Sequence, residues 1–262
     1  MNRYKFIDEK KSHLHTLDQK PLIGTSTVTN IISKNLTWWA AELAAVEALE
    51  TDNFIPTIRE EYLAAKKLGK PGIDALQKKY PIFKASRFAH YDSKNEAADS
   101  GVDMHAELEA YVKYCITNNE GKPIDAYLGS PQVKIFRDWS VNNVRKFISS
   151  EGHCYSERLW TGGIIDLVYE DMSGNLVIMD FKSSKEAYPN HFIQIAGYAI
   201  EAEENGILDA EGNLVYKVDR LIAYYSVFPF GAENPEPQIR NDTIGLKAGF
   251  EAALTLHRLI NV

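Results

Sequence analysis

Asp166, in Gly162-Gly-Ile-Ile-Asp-Leu-Val168, and Asp180, in Val177-Ile-Met-Asp-Phe-Lys182, are acids set among strongly apolar neighbours. A buried carboxylate is costly unless a cation, a hydrogen-bond donor or a metal compensates it. Met172-Ser-Gly-Asn175 is a turn signal, and the two acids are nearly equidistant from it. A hairpin there puts them on adjacent strands. Two carboxylates brought together ask for a divalent ion, and hard oxygen ligands favour Mg²⁺ or Mn²⁺ over zinc. Strand alternation sets Lys182 on the face of Asp180, with Phe181 pointing the other way. A plainer account of the same residues is an Asp180–Lys182 ion pair beside a turn acid at Asp166.

Further groups fit the same chemistry. Val102, His105, Leu108, Val112 and Cys115 recur at spacings of three and four, which predicts a helix over 99–117 with His105 facing inward. Taken alone, such a histidine is usually a hydrogen-bonded core residue; beside the downstream acids it is a candidate ligand. Glu109 lies one turn later, placed to contact a second ion, to hold His105, or to stay exposed. Gln194 and Tyr198 share a face of a helix over 190–205, where Gly197 permits close approach of another backbone. A long amide and a phenol one turn apart can hold a phosphate and a sugar or base. Lys185 and Arg158 are candidate phosphate contacts, whereas Ser183 and Ser184 read more simply as turn formers.

The elements that must position these groups follow from pattern. Gly24–Ser33 offers Ser/Thr caps, and Leu36, Trp38, Trp39, Leu43 and Val46 continue at helical spacing, so residues 1–98 are expected to form an N-terminal helical section. Trp38 and Trp39 are core fillers or base-stacking rings. A second helix is expected over 131–149, three strands as a meander from Cys154 to Ser184, a strand over 216–228, and a closing helix over 243–260. Strands bracketed by helices indicate an α/β domain, with the chemistry in 99–262.

Composition removes several alternatives. The 262 residues are 45% hydrophobic and 25% charged, and a net charge of −7 argues against coating nucleic acid through bulk charge. A local patch exists: residues 59–87 hold eight Lys and Arg (59, 66, 67, 70, 78, 79, 84, 87) against three acids (60, 61, 74). It is a solvated helix face or a surface that tracks phosphates. Two cysteines, Cys115 and Cys154, are too few for a disulfide framework or an iron–sulfur cluster, and suit a reducing cytoplasm. The opening is charged with no apolar run behind it, so neither export nor a membrane association is expected. No Walker-type run is present, so no bound nucleotide and no helicase motor are expected.

The series His105-Ala-Glu-Leu-Glu109, Gly163-Ile-Ile-Asp166, Asp180-Phe-Lys182 and Gln194-Ile-Ala-Gly-Tyr198 resembles the PD-(D/E)xK nuclease superfamily in its RecB-like branch. That branch includes the nuclease domains of bacterial recombination helicase–nucleases, CRISPR-associated nucleases, mitochondrial genome maintenance exonucleases and single-domain phage enzymes. The resemblance implies a restriction-endonuclease-like α/β/α core with a central mixed sheet. It implies that His105, Asp166, Asp180 and the Phe181 carbonyl hold the metal, that Lys182 orients or deprotonates the attacking water, and that Gln194 and Tyr198 position the nucleic-acid backbone. Glu157 resembles the acid that precedes G-x-x-D in this branch, supporting the metal from behind its ligands or pairing with Arg158 or Lys182. The function so implied is a Mg²⁺- or Mn²⁺-dependent deoxyribonuclease of the cluster-free group. It would be an exonuclease, or a nuclease preferring single strands or free ends, in a bacterial or phage-infected cell, beside recombination or replication proteins. The contrasting reading is a non-catalytic nucleic-acid-binding or scaffolding subunit of a repair complex, against which the retained acids around a lysine argue. A hydrolase of small phosphorylated substrates fits the basic segment less well.

Overall fold

The structure, a computed structural model, describes residues 3–9, 12–32, 61, 64–79 and 104–260. Contacts divide the chain into two compact units, Met1–Ser33 with Gly101–Val262, and Lys34–Ser100. In the second unit the described residues are mainly a helical turn at 64–67 and a helix at Lys70–Lys79, with Lys66, Lys67, Lys70 and Lys78 exposed. Trp38, Trp39, His90 and Val102 lie outside the described residues.

The first unit opens with strands β1 (Tyr4–Glu9), β2 (Ser12–Leu17), β3 (Lys20–Pro21) and β4 (Ile23–Gly24). The expectation of a helical section from residue 1 is therefore replaced, over 4–24, by a three-stranded sheet β1–β2–β3 and a short strand that joins the main sheet. Alternation is the reason: Tyr4, His15 and Leu17 are buried, with the Tyr4 hydroxyl and His15 Nδ1 hydrogen-bonded at 2.6 Å, so polar side chains fill a place usually read from aliphatic ones. A short helix α1 (Thr25–Thr29) follows. With Lys70–Lys79 numbered α2, the later elements are α3 over 104–118, α4 (Pro131–Asn143), β5 (Val144–Ser156), β6 (Thr161–Asp171), β7 (Leu176–Lys182), α5 (Pro189–Asn205), β8 (Ile207–Leu208), β9 (Leu214–Tyr216), β10 (Tyr224–Pro229), β11 (Gln238–Arg240) and α6 (Thr243–Ile260). The strand expected over 216–228 is split, since 217–223 carry no strand pairing.

Among the described residues the main sheet runs β11-β10-β7-β6-β5-β8-β9, with β4 beside β6. It is mixed: β5, β6 and β7 form the expected antiparallel meander, whereas β7 and β10 are parallel and joined through α5. One face buries Leu167, Tyr169, Val177, Met179, Phe181 and Phe228 against α3 and α4; the other buries Val168, Leu176, Ile178 and Val227 against α5 and α6. This is an α/β/α core. No described helix is long and apolar enough to cross a membrane.

The helix expected over 131–149 ends at Asn143, and Val144 begins β5. Val144 and Phe147 are both buried three residues apart, a spacing that suits a helix. Here it arises because the ladder with β6 slips once between the two, from Val144 opposite Asp171 to Lys146 opposite Glu170, before a second slip past Phe147. Irregular pairing turns the strand between these positions and restores both side chains to one face.

Candidate metal centre

The β6–β7 ladder pairs Leu167 with Met179 through Glu170 with Leu176, closed by a turn in which Asp171 Oδ1 accepts from the N–H groups of Ser173 and Asn175. One step beyond Leu167 and Met179 stand Asp166 and Asp180, in register as the turn signal implied. There the strands part. β4 takes the far end of the same edge of β6, pairing Ile23 with Thr161 and Gly24 with Gly162. Between the two ladders the Phe181 N–H turns to a side chain, donating to Asp166 Oδ2 at 2.7 Å.

α3 delivers His105 into this opening. A carbonyl cannot donate, so the ring Nε2–H donates to the Phe181 carbonyl at 2.9 Å, leaving Nδ1 3.6 Å from Asp166 Oδ2. Leu108, Val112 and Cys115 fix the helix by full burial on the expected stripe. His105 itself is about one-third exposed at its side chain, at the edge of that stripe and not inside it.

The third group is one the sequence pattern did not single out. Glu151 lies on β5 where the β6 ladder skips a pair, since Ser150 faces Leu167 and Gly152 faces Ile165. Its φ of 51° is left-handed, strained for a residue with a Cβ. Ligand atoms of His105, Glu151 and Asp166 all lie within 4.8 Å of one another. Burial, then the charge of Asp166, pushes the Glu151 carboxyl up to about 8; burial, then the charge of Asp180, pushes Asp166 up to about 6. Two acids that resist ionising together are what a divalent cation relieves. The available signal was an acid beside a glycine, Glu151-Gly152, inside a run of strand formers.

Asp180 stands outside that triplet. Its carboxylate is buried, with Oδ2 2.6 Å from Lys182 Nζ, yet that oxygen has no hydrogen-bond partner, so the contact is one of charge and not an aligned bond. Burial works against the Lys182 ammonium, but Asp180 and Asp166 outweigh it and raise its pKa above the ordinary value. Carboxylate oxygens and one imidazole make a donor set that suits a hard divalent ion.

The remaining candidates divide by position. Gln194 donates to the Tyr198 hydroxyl at 2.6 Å, and Tyr198 is buried with its ring against Gly163, where an added Cβ would lie 2.4 Å from Tyr198 Cε1. Tyr198 is thus the floor beneath the G-x-x-D strand and offers a ligand no face; Gln194 is the half-exposed member. Glu109 pairs with Lys113 on α3, and its charge reaches Glu151. Lys185 is exposed in the loop after β7. Glu157 and Arg158 occupy the turn at the other end of β6, Glu157 bound to Arg3 at 2.7 Å and Arg158 to Glu251 at 2.9 Å. Neither approaches the acids, so Glu157 supports no metal here: the turn faces the N-terminal strands and α6. Set against protein-family models and curated protein sequences, the chain matches none.

Proposed function

We propose that this chain is a metal-dependent deoxyribonuclease resembling the RecB-like branch of the PD-(D/E)xK superfamily. The observation that carries the reading is the convergence of His105, Glu151 and Asp166 within 4.8 Å, beside a buried Asp180–Lys182 pair, at the point where β7 leaves β6. His105, Glu151 and Asp166 would hold Mg²⁺ or Mn²⁺, with the Phe181 carbonyl bound to His105 and Asp180 paired with Lys182 beside them. Such an ion supplies Lewis acidity and lowers the pKa of bound water.

The chain's own groups do the rest. Lys182 is kept charged by Asp180 and Asp166, so it can orient an attacking water by donation and neutralise charge growing on the phosphate. The Asp166 carboxylate is locked by the Phe181 N–H, which fixes its direction before any substrate arrives. Gln194, partly exposed on α5, would donate to a phosphate oxygen. Two free buried cysteines agree with a reducing cytoplasm as the compartment. Recombination or replication proteins are the partners the resemblance implies.

The test is digestion of end-labelled linear single- and double-stranded DNA, beside a closed circle, with Mn²⁺, Mg²⁺ or EDTA. Linear DNA is expected to disappear only with metal, the circle to persist, and Lys182→Ala to lower the rate at least about a hundredfold. Tight DNA binding without cleavage under every condition would instead make the chain a scaffold.

A further inference from the structure

A cavity of about 590 Å³ opens beside the centre, walled by α3, β5, the β1–β2 hairpin and the loop after β8. Glu109 and Glu151 line it, so the cavity and the metal centre share a wall. Its size suits a small molecule or one part of a larger one. Three properties of the lining narrow the occupant.

The sides are apolar, formed by Phe6, Ile148, Ile164, Leu208 and Val215. Aromatic rings line the cavity as well, Phe6 and His13 stacked with centroids 5.7 Å apart and planes inclined by 12°. Five carboxylates, Asp8, Glu109, Glu151, Asp209 and Glu211, and one ammonium, Lys113, line it; Glu109 pairs with Lys113, and Asp209 accepts from the backbone N–H and side-chain amide of Asn213. The other titratable side chains are His13, which contacts Asp8, and His153, whose Nδ1 meets the Tyr4 hydroxyl. Such a lining repels phosphate and accepts N–H donors. An uncharged flat ring bearing an amino group meets all three conditions.

Resting on the nuclease reading, we infer that this cavity receives the base of the nucleotide being cut and prefers cytosine to thymine. The phosphate stays beside Lys182 and the metal ligands, and the base passes beyond Glu151, stacked on Phe6. Cytosine presents an N4 amino donor to the carboxylates, whereas thymine presents the O4 acceptor and a methyl group at the same edge. Stacking on Phe6 is blind to that difference and holds either ring.

The experiment is a ligand-observed NMR titration of the full chain with deoxycytidine, thymidine and putrescine, in EDTA and in Mg²⁺. Deoxycytidine is expected to bind at least about tenfold more tightly than thymidine, within the discrimination of a good base-edge contact. Phe6→Ala should weaken both nucleosides. Val215→Trp, which adds bulk at a half-exposed lining position, should exclude both with the melting temperature unchanged. Equal nucleoside affinities, no nucleoside binding, or displacement of deoxycytidine by putrescine overturns the inference, the last by making the cavity a cation site. Oligonucleotides with dC or dT at the cleaved end separate the two readings. Equal cleavage of both refutes the base pocket and keeps the nuclease; selective deoxycytidine binding with no cleavage of any oligonucleotide refutes the nuclease and keeps the pocket.

Discussion

Glu151 carries a conflict of its own, a carboxyl held at left-handed φ within reach of Asp166 and Asp180. Replacing it by Gln removes a buried carboxyl that resists ionising and the proposed metal ligand together, and these effects have opposite signs. Glu151→Gln should leave the metal-free protein at least as stable as the parent while losing most of the rise in melting temperature that Mn²⁺ gives, with affinity down about tenfold or more; differential scanning fluorimetry with and without Mn²⁺ reads both. Gly163 is constrained by packing. A methyl there would press on Tyr198 and come 3.1 Å from Thr25 Oγ1, so Gly163→Ala should cost about 1–3 kcal/mol in urea unfolding and reduce cleavage by tilting the strand that holds Asp166. At this scale much of the site was legible. Asp166 and Asp180 could be paired by counting from Met172-Ser-Gly-Asn175, and Lys182 followed from alternation. Glu151 could not, because its place depends on a kink in β5 that no spacing rule encodes.

The meander, α5 and α6 were legible as elements because each keeps one period throughout. The start of β5 was not, since its slipped pairing counterfeits a helical spacing, and the β1–β2 hairpin hid behind polar side chains that are nonetheless buried. α5 also holds a device that periodicity conceals. Glu201 is fully buried one turn after Tyr198 and accepts from Thr25 Oγ1 at 2.5 Å and from Cys154 Sγ at 3.1 Å, tying α1 and β5 to α5. Burial raises its pKa from 4.5 to about 7. A carboxyl raised on folding binds its proton more tightly in the native state, so its contribution is fully present below pH 4.5 and is lost as pH rises through 7. The loss is on the order of 3 kcal/mol at 1.36 kcal/mol per unit. His15 and His191, lowered to about 4 mainly by burial, act with the opposite sign, favouring the fold as pH rises from 4 to 6.5. The comparison that isolates Glu201 is therefore a difference: chemical unfolding from pH 5 to 8 should show the parent declining relative to Glu201→Gln, with the gap widening up to pH 7.

For the molecule as a whole, the proposed function requires an acidic chain to confine its attraction for DNA to a patch. Lys66, Lys67, Lys70 and Lys78 are exposed in the second unit, four of the five described basic residues of the segment 59–87, the fifth being Lys79, which pairs with Glu61. Changing all four to Gln should lower the steepness of log affinity against log salt by up to about 3 for single-stranded DNA, at about 0.7 per phosphate contact; an unchanged slope would leave them a solvated face. The shared edge of β6 has a different consequence. The meander β5–β6–β7 is built from neighbours in the chain, whereas β4 reaches β6 by pairing Ile23 with Thr161. Closing so long a loop is entropically dear and slow compared with zipping hairpins. The acids on β6 and β7 should therefore come together early in folding, and Thr25 should reach Glu201 late. Amides of β4 and α1 would then gain protection from hydrogen exchange after those of β6 and β7, so that the chain draws up its own chemistry first and ties the knot behind it last.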